Sequence, residues 1–219
     1  MCAEEAIMSQ YELDYDFLEA SKKGKIGEKI FHRLRVKTMT NMIKGSNMKI
    51  LDIGCGTGIL FEHFNKNNNK VVGVDISKWC ISKANEHAEN IGLEHELYVG
   101  DAFNLKFQNS KFDFIILSGV MEHLRGDLNV VVWKIRNLLK KDGKVLVSLP
   151  SYHPLNPLSY EIVYDFFRKV LSGRKDIEEE GEHKHFNVKE LRNLFKGFKV
   201  LKVKNTALGV ELCMLFQKV

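Results

Sequence analysis

Proline is scarce in this chain: three residues in 219, and all three, Pro150, Pro154 and Pro157, fall within one short stretch. The rhythm of the sequence changes there, and the stretch reads as the start of an insertion. Cysteine is scarce as well. Cys2, Cys55, Cys80 and Cys213 are scattered without any C-x-x-C pair, which signals neither a disulfide framework nor a zinc site. A reducing, cytoplasmic setting and no metal are expected. Nowhere do about 18 consecutive apolar residues occur, and the beginning, Met1-Cys2-Ala3-Glu4-Glu5, is acidic and lacks an apolar signal core. Neither secretion nor a membrane span is expected. Internal repeats and low-complexity tracts are lacking too.

With 219 residues, 44% of them hydrophobic, the chain can bury a sizeable core, and one domain with appendages is expected. The formal charge of +5 is unevenly placed: Lys22, Lys23, Lys25, Lys29, Arg33, Arg35, Lys37 and Lys44 face only Glu28 locally. Such a segment suits RNA phosphates or an anionic membrane surface, or is a solvated helix face. Ile26, Ile30, Phe31, Leu34, Thr38 and Met42 predict a helix over 26–43 packed on the core through that face, with most basic residues outward. Ahead of it, Tyr11, Leu13, Tyr15, Phe17 and Leu18 form an aromatic arm suited to covering a cleft or simply docked as a terminus.

The most informative stretch is Leu51-Asp52-Ile53-Gly54-Cys55-Gly56-Thr57-Gly58. Met48 to Ile53 has the branched, apolar character of a buried parallel strand, and Ile59, Leu60 and Phe64 follow at helical spacing. Gly54, Gly56 and Gly58 allow positive φ and close approach of a ligand, while the following helix offers free N–H groups. The spacing fits neither G-x-G-x-x-G nor G-x-x-x-x-G-K-[ST], and Asp52 stands two residues before the first glycine. An acid there repels a pyrophosphate and suits a cationic ligand.

Further strands are expected at 71–75, 96–99, 112–118 and 144–149, with helices at 77–90, capped by Ser77, and at 128–141, before an Asp142-Gly143 turn. Strands alternating with helices predict a doubly wound α/β fold with a mostly parallel sheet. A helix at 188–195 and strands at 198–203 and 211–219 would close the sheet with an antiparallel pair. The expected organisation is a helical arm at 1–47, a ligand-binding core at 48–150, an insertion at 151–187 and a closing helix and hairpin at 188–219.

Asp75 ends the second strand and Asp101 follows the third, where open α/β sheets place ligand groups. A carboxylate at Asp75 can accept both ribose hydroxyls, a role shared with NAD enzymes. The D-x-G-x-G-x-G pattern at Asp52, with Asp75 and Asp101, resembles the motifs of class I S-adenosylmethionine-dependent methyltransferases, and the resemblance extends from Ile50 to Val219. It implies a seven-stranded sheet with a terminal antiparallel hairpin, and S-adenosylmethionine as cofactor, released as S-adenosylhomocysteine. Carried over residue by residue, Asp52, Gly54, Cys55 and Gly56 would hold the methionine part, and Asp75 the ribose. Ile76 would pack on the adenine, Asp101 and Ala102 would bind it, and Ser118 and Val120 would line the cleft near the sulfonium.

The segment Ser118-Gly119-Val120-Met121-Glu122-His123-Leu124 is similar to that of the small-molecule and quinone branch, and Gly181-Glu182-His183-Lys184-His185-Phe186 is similar to that of its ubiquinone-pathway O-methyltransferases. His123 is a candidate base or a cap for the following helix; His183 is a second candidate base or a loop histidine. Tyr152, Tyr160 and Tyr164 are candidates for an acceptor pocket or for plain core packing. The absence of an Asn-Pro-Pro-Tyr motif speaks against DNA as substrate. The expected activity is methyl transfer to a small molecule, most simply to a hydroxyl. The alternatives are an RNA methyltransferase using Arg33 and Arg35 for phosphates, or a protein that binds the cofactor without chemistry.

Overall fold

The computed structural model describes residues 16–150, 184, 186–206 and 211–219, which form one α/β unit. Among the described residues there are seven strands, β1 (Lys49–Ile53), β2 (Lys70–Asp75), β3 (His95–Val99), β4 (Phe112–Ser118), β5 (Leu139–Pro150), β6 (Phe198–Thr206) and β7 (Glu211–Lys218). The helices are α1 (Phe17–Lys23), α2 (Ile26–Thr40), α3 (Phe61–Lys66), α4 (Lys78–Asn90), α5 (Leu128–Leu138) and α6 (Val188–Leu194). The strands form one sheet in the order β3-β2-β1-β4-β5-β7-β6. β1 pairs in parallel with β2 and β4, whereas β7 runs antiparallel to both β5 and β6.

The central strands are apolar on both faces because both faces are covered. Leu51, Ile53, Ile115 and Leu117 face a core built with α5 and α6, and Ile50, Phe114 and Ile116 face a second core with Met39, Phe61 and Phe64. The sheet order has one reversal. From β1 the chain moves outward through β2 and β3, then returns to β4 on the other side of β1. At such a point the loops after the two adjacent strands diverge and leave a crevice at the carboxyl ends. Here those loops are the glycine turn after Ile53 and the turn after Ser118.

Two expectations are corrected. The helix expected at 128–141 ends at Leu138, and Asp142-Gly143 lies inside β5. Leu139 pairs with Phe112, and the register shifts before Phe114, so the three extra residues are absorbed in an irregularity where Asp142 adopts φ 61°. The helix expected at 26–43 ends at Thr40, and its inward face is a different one: Ile26, Ile30 and Leu34 are 72%, 50% and 40% exposed. Gly27, His32, Arg35, Val36 and Met39 turn inward instead. Polar residues occupy the buried face because each finds a partner there: the His32 ring meets Phe17 edge to face, and Arg35 meets Glu211.

Candidate functional site

The glycine turn holds its shape through the neighbouring strand. The Gly54 and Cys55 amides both donate to the Val74 carbonyl, at 2.7 and 3.2 Å, and Gly54, Gly56 and Gly58 all have positive φ. At Gly54 the requirement is also steric, since a Cβ there would overlap Val120 Cγ2. The loops after β1 and β4 thus touch at the crevice, and the missing side chain keeps it open.

Asp75 ends β2 with both carboxylate oxygens engaged by backbone: the Gly56 amide donates to Oδ2 at 2.8 Å and the Ser77 amide to Oδ1 at 2.9 Å. Each oxygen keeps a lone pair for a ligand hydroxyl. Burial pushes its pKa up, while the hydrogen bonds from Ser77 and Gly56 pull it back. Ser77 caps α4 through Cys80, and Ile76 is half-buried between them. Beyond β3, Asp101 is exposed and accepts from the Phe103 amide at 2.8 Å, starting a short 3-10 turn at Ala102, which is buried.

Asp52 is only 3% exposed, and its side chain makes no hydrogen bond among the described residues. Burial, reinforced by the charge of Asp75 and opposed by that of Arg35, raises its pKa to about 8. A buried carboxylate of this kind is a place for a cation, because an opposite charge recovers what desolvation costs. Beside it, burial pushes the Cys55 thiol pKa upward, so that side chain is a neutral packing group.

Sequence reasoning missed Arg35 and Glu211, and it counted Arg35 among the outward, phosphate-binding residues. The guanidinium points inward: Nη2 donates to Ser118 Oγ at 2.9 Å, and Nε lies 2.8 Å from Glu211 Oε1. Ser148 Oγ donates to the same Glu211 oxygen. Burial acts to lower the pKa of Arg35, but Glu211 and Glu122 more than offset it and raise it. The signal available in the sequence was the spacing of His32, Arg35, Val36 and Met39, which traces a helix face as regular as the aliphatic one.

Ser118 and Val120 stand at the crevice after β4. Glu122 is buried, and His123 is half-buried in the same turn, its amide donating to Val120 O at 3.0 Å. The Lys184 amide donates to the Glu122 carbonyl at 3.2 Å. His183, Tyr152, Tyr160 and Tyr164 lie outside the described residues. Of the aromatic arm, Phe17 lies within 3.8 Å of the position a Cβ on Gly56 would take. Leu18 N donates to Thr57 Oγ1, which in turn donates to Asp16 Oδ1. The start of α1 is therefore hydrogen-bonded to the glycine turn itself.

A parallel sheet reversed at β1/β4, with an antiparallel β7, a glycine turn after an acid and a second acid ending β2, defines a class I methyltransferase fold. The chain matches the model of the methyltransferase domain family over residues 44–198 and belongs to that family, the S-adenosylmethionine-dependent methyltransferases. It is 33% identical over 123 residues to a ubiquinone biosynthesis O-methyltransferase of Pelagibacter ubique, an alignment that covers 56% of this chain and 50% of the relative. The chain thus spans about half the length of that relative. A demethylmenaquinone methyltransferase of Staphylococcus saprophyticus is 28% identical over 194 residues, 80% of this chain and 81% of the relative. Among solved structures, the 1,6-didemethyltoxoflavin-N1-methyltransferase of Burkholderia thailandensis, crystallised with S-adenosylhomocysteine, aligns with a TM-score of 0.70 at 16% identity. That alignment covers 100% of this chain and 92% of the other.

Proposed function

We propose that this protein methylates a hydroxyl group of a small, quinone-type aromatic acceptor, with S-adenosylmethionine as donor. The observation that carries the reading is Asp52, a buried carboxylate with no hydrogen-bond partner among the described residues, beside a glycine turn and matched to a cationic ligand rather than to a pyrophosphate. The similarity to quinone-pathway O-methyltransferases supports the acceptor class.

When bound, the donor supplies a methyl group already activated on a sulfonium. The chain's own residues then have three tasks: to bind, to align and to take a proton. Asp52 neutralises the amino group, Gly54, Cys55 and Gly56 present backbone to the methionine part, and Asp75 accepts the ribose hydroxyls with the lone pairs that Gly56 and Ser77 leave. Ile76 would pack on the adenine, Asp101 and Ala102 would bind it, and Ser118 and Val120 would line the cleft near the sulfonium. Transfer to the acceptor oxygen would form the oxygen–methyl bond, break the carbon–sulfur bond and leave the hydroxyl proton for a base on this chain. His123 takes the hydroxyl proton, with His183 as the other candidate, and Tyr152, Tyr160 and Tyr164 are assigned to the acceptor side.

The test is transfer of labelled methyl from S-adenosylmethionine to a catechol or hydroquinone acceptor. His123→Ala is expected to lower kcat at least tenfold while leaving the KM for the donor within about twofold, as loss of a transition-state role requires. Absence of transfer to any phenolic acceptor while donor binding persists would overturn the proposal.

A further inference from the structure

The outward face of α2 mixes two residue types in a way that a solvated face does not need. At about 100° per residue, Lys29, Arg33, Ile26, Lys37 and Ile30 fall in that order within roughly a third of the helix circumference. All are exposed except Lys29, which is half-exposed. Lys25 sits at the N-cap beside them. No salt bridge among the described residues uses Lys25, Lys29, Arg33 or Lys37, whereas Lys22 and Lys23 on the neighbouring helix each have a glutamate. The sequence of α2 contains a single acid, Glu28.

We infer that this face docks the protein onto an anionic lipid surface. Cations interleaved with exposed isoleucines complement an interface that offers negative headgroups and, a few ångströms deeper, acyl chain. A nucleic-acid backbone would satisfy the cations but leave Ile26 and Ile30 in water. The helix has low mean hydropathy and no helix among the described residues is long and apolar enough to cross a membrane, so the contact is peripheral. Its opposite face is already committed, through Arg35 and Met39, to Ser118 at the crevice. A docked α2 would therefore hold that crevice about one helix diameter, roughly 10 Å, from the headgroups. The surface stands independently of the acceptor's identity.

The test is sedimentation of the full chain with vesicles of phosphatidylcholine alone and of phosphatidylcholine doped with phosphatidylglycerol. Binding is expected only to the anionic vesicles and is expected to weaken as salt is added. Removing a charge near the surface should reduce partitioning about fivefold, so Lys29→Gln/Arg33→Gln/Lys37→Gln should reduce it roughly a hundredfold. Ile30→Ser should reduce it several-fold at every salt concentration. Calorimetric titration with S-adenosylmethionine, unchanged in these variants, establishes that they are folded, and the single variant Arg33→Gln repeats the test with the smallest perturbation. Equal binding to neutral vesicles, no binding to anionic ones, or wild-type partitioning by the folded variants overturns the inference. So does capture of the protein from vesicles by a single-stranded RNA, unaffected by Ile30→Ser. Failure here would leave methyl transfer to a water-soluble acceptor intact, so the two proposals fall separately.

Discussion

Arg35 Nε lies 2.8 Å from Glu211 Oε1, joining the helix that precedes the sheet to the first residue of its last strand. The side chains are 14% and 5% exposed, so each charge depends on the other. Removing one partner of a buried pair strands the other charge, which typically costs about 3–5 kcal/mol. Glu211→Gln is expected to lower the unfolding free energy by that order in urea titration. Replacing both, as Arg35→Met/Glu211→Leu, should recover most of the loss; a double variant as unstable as the single one would show that packing, not charge, is responsible.

Gly54 is the position where the crevice depends on a missing side chain. Its φ is 69°, and a Cβ would overlap Val120 Cγ2. Gly54→Ala should cost about 1–3 kcal/mol of stability through crowding and the disfavoured backbone conformation. It should also weaken donor binding at least tenfold, because the new methyl displaces the Val120 side chain at the crevice. Calorimetry and thermal melts on the same sample check both.

Asp52 makes the stability of the ligand-free protein depend on pH with a definite sign. Its pKa is about 8 folded and near the ordinary 3.8 unfolded, so between those values the folded state holds a proton that the unfolded state has lost. Stability attributable to this group is then lost as pH rises through that window, at a limiting slope of about 1.4 kcal/mol per pH unit. The difference between wild type and Asp52→Asn isolates it: their stability gap should change across the window and level off above about pH 8. A cationic ligand favours the ionised carboxylate, so binding below that pH should release a proton. Calorimetry in two buffers of different ionisation enthalpy measures the release.

Thr57 Oγ1 accepts from Leu18 N at 3.2 Å and donates to Asp16 Oδ1 at 2.9 Å. Thr57→Val removes both bonds with little change in volume, leaving the start of α1 without its anchor at a cost of about 1–3 kcal/mol. Because α1 is a short peripheral helix, the effect should be local: faster hydrogen exchange at residues 17–23 with the protection of β1 and β4 unchanged. Uniform loss of protection would show that α1 is part of the cooperative core.

Much of this molecule was legible along the chain because its signals are local. The apolar residues of Ile50–Ile53 and Phe112–Leu117, each stretch interrupted by one acid, mark strands covered on both faces, Ser77 marks a helix start, and the alternating glycines after Asp52 mark a turn whose backbone needs positive φ. Order, spacing and residue type were enough for the doubly wound sheet and for the acids at the carboxyl ends of β1 and β2. The inward face of α2 was marked only by a second spacing, no more regular than the aliphatic one. Periodicity arguments send charge outward, and Arg35 goes inward only because Glu211, 176 residues later in the chain, waits beside Ser118 and Ser148. The extended β5 escaped for a related reason, since Leu139 becomes strand by pairing with Phe112 rather than by its own neighbours. Local sequence determined which elements form and where a ligand-shaped turn lies. Only the tertiary structure decided which buried charges meet, because an ion pair's stability depends on surroundings assembled from distant parts of the chain.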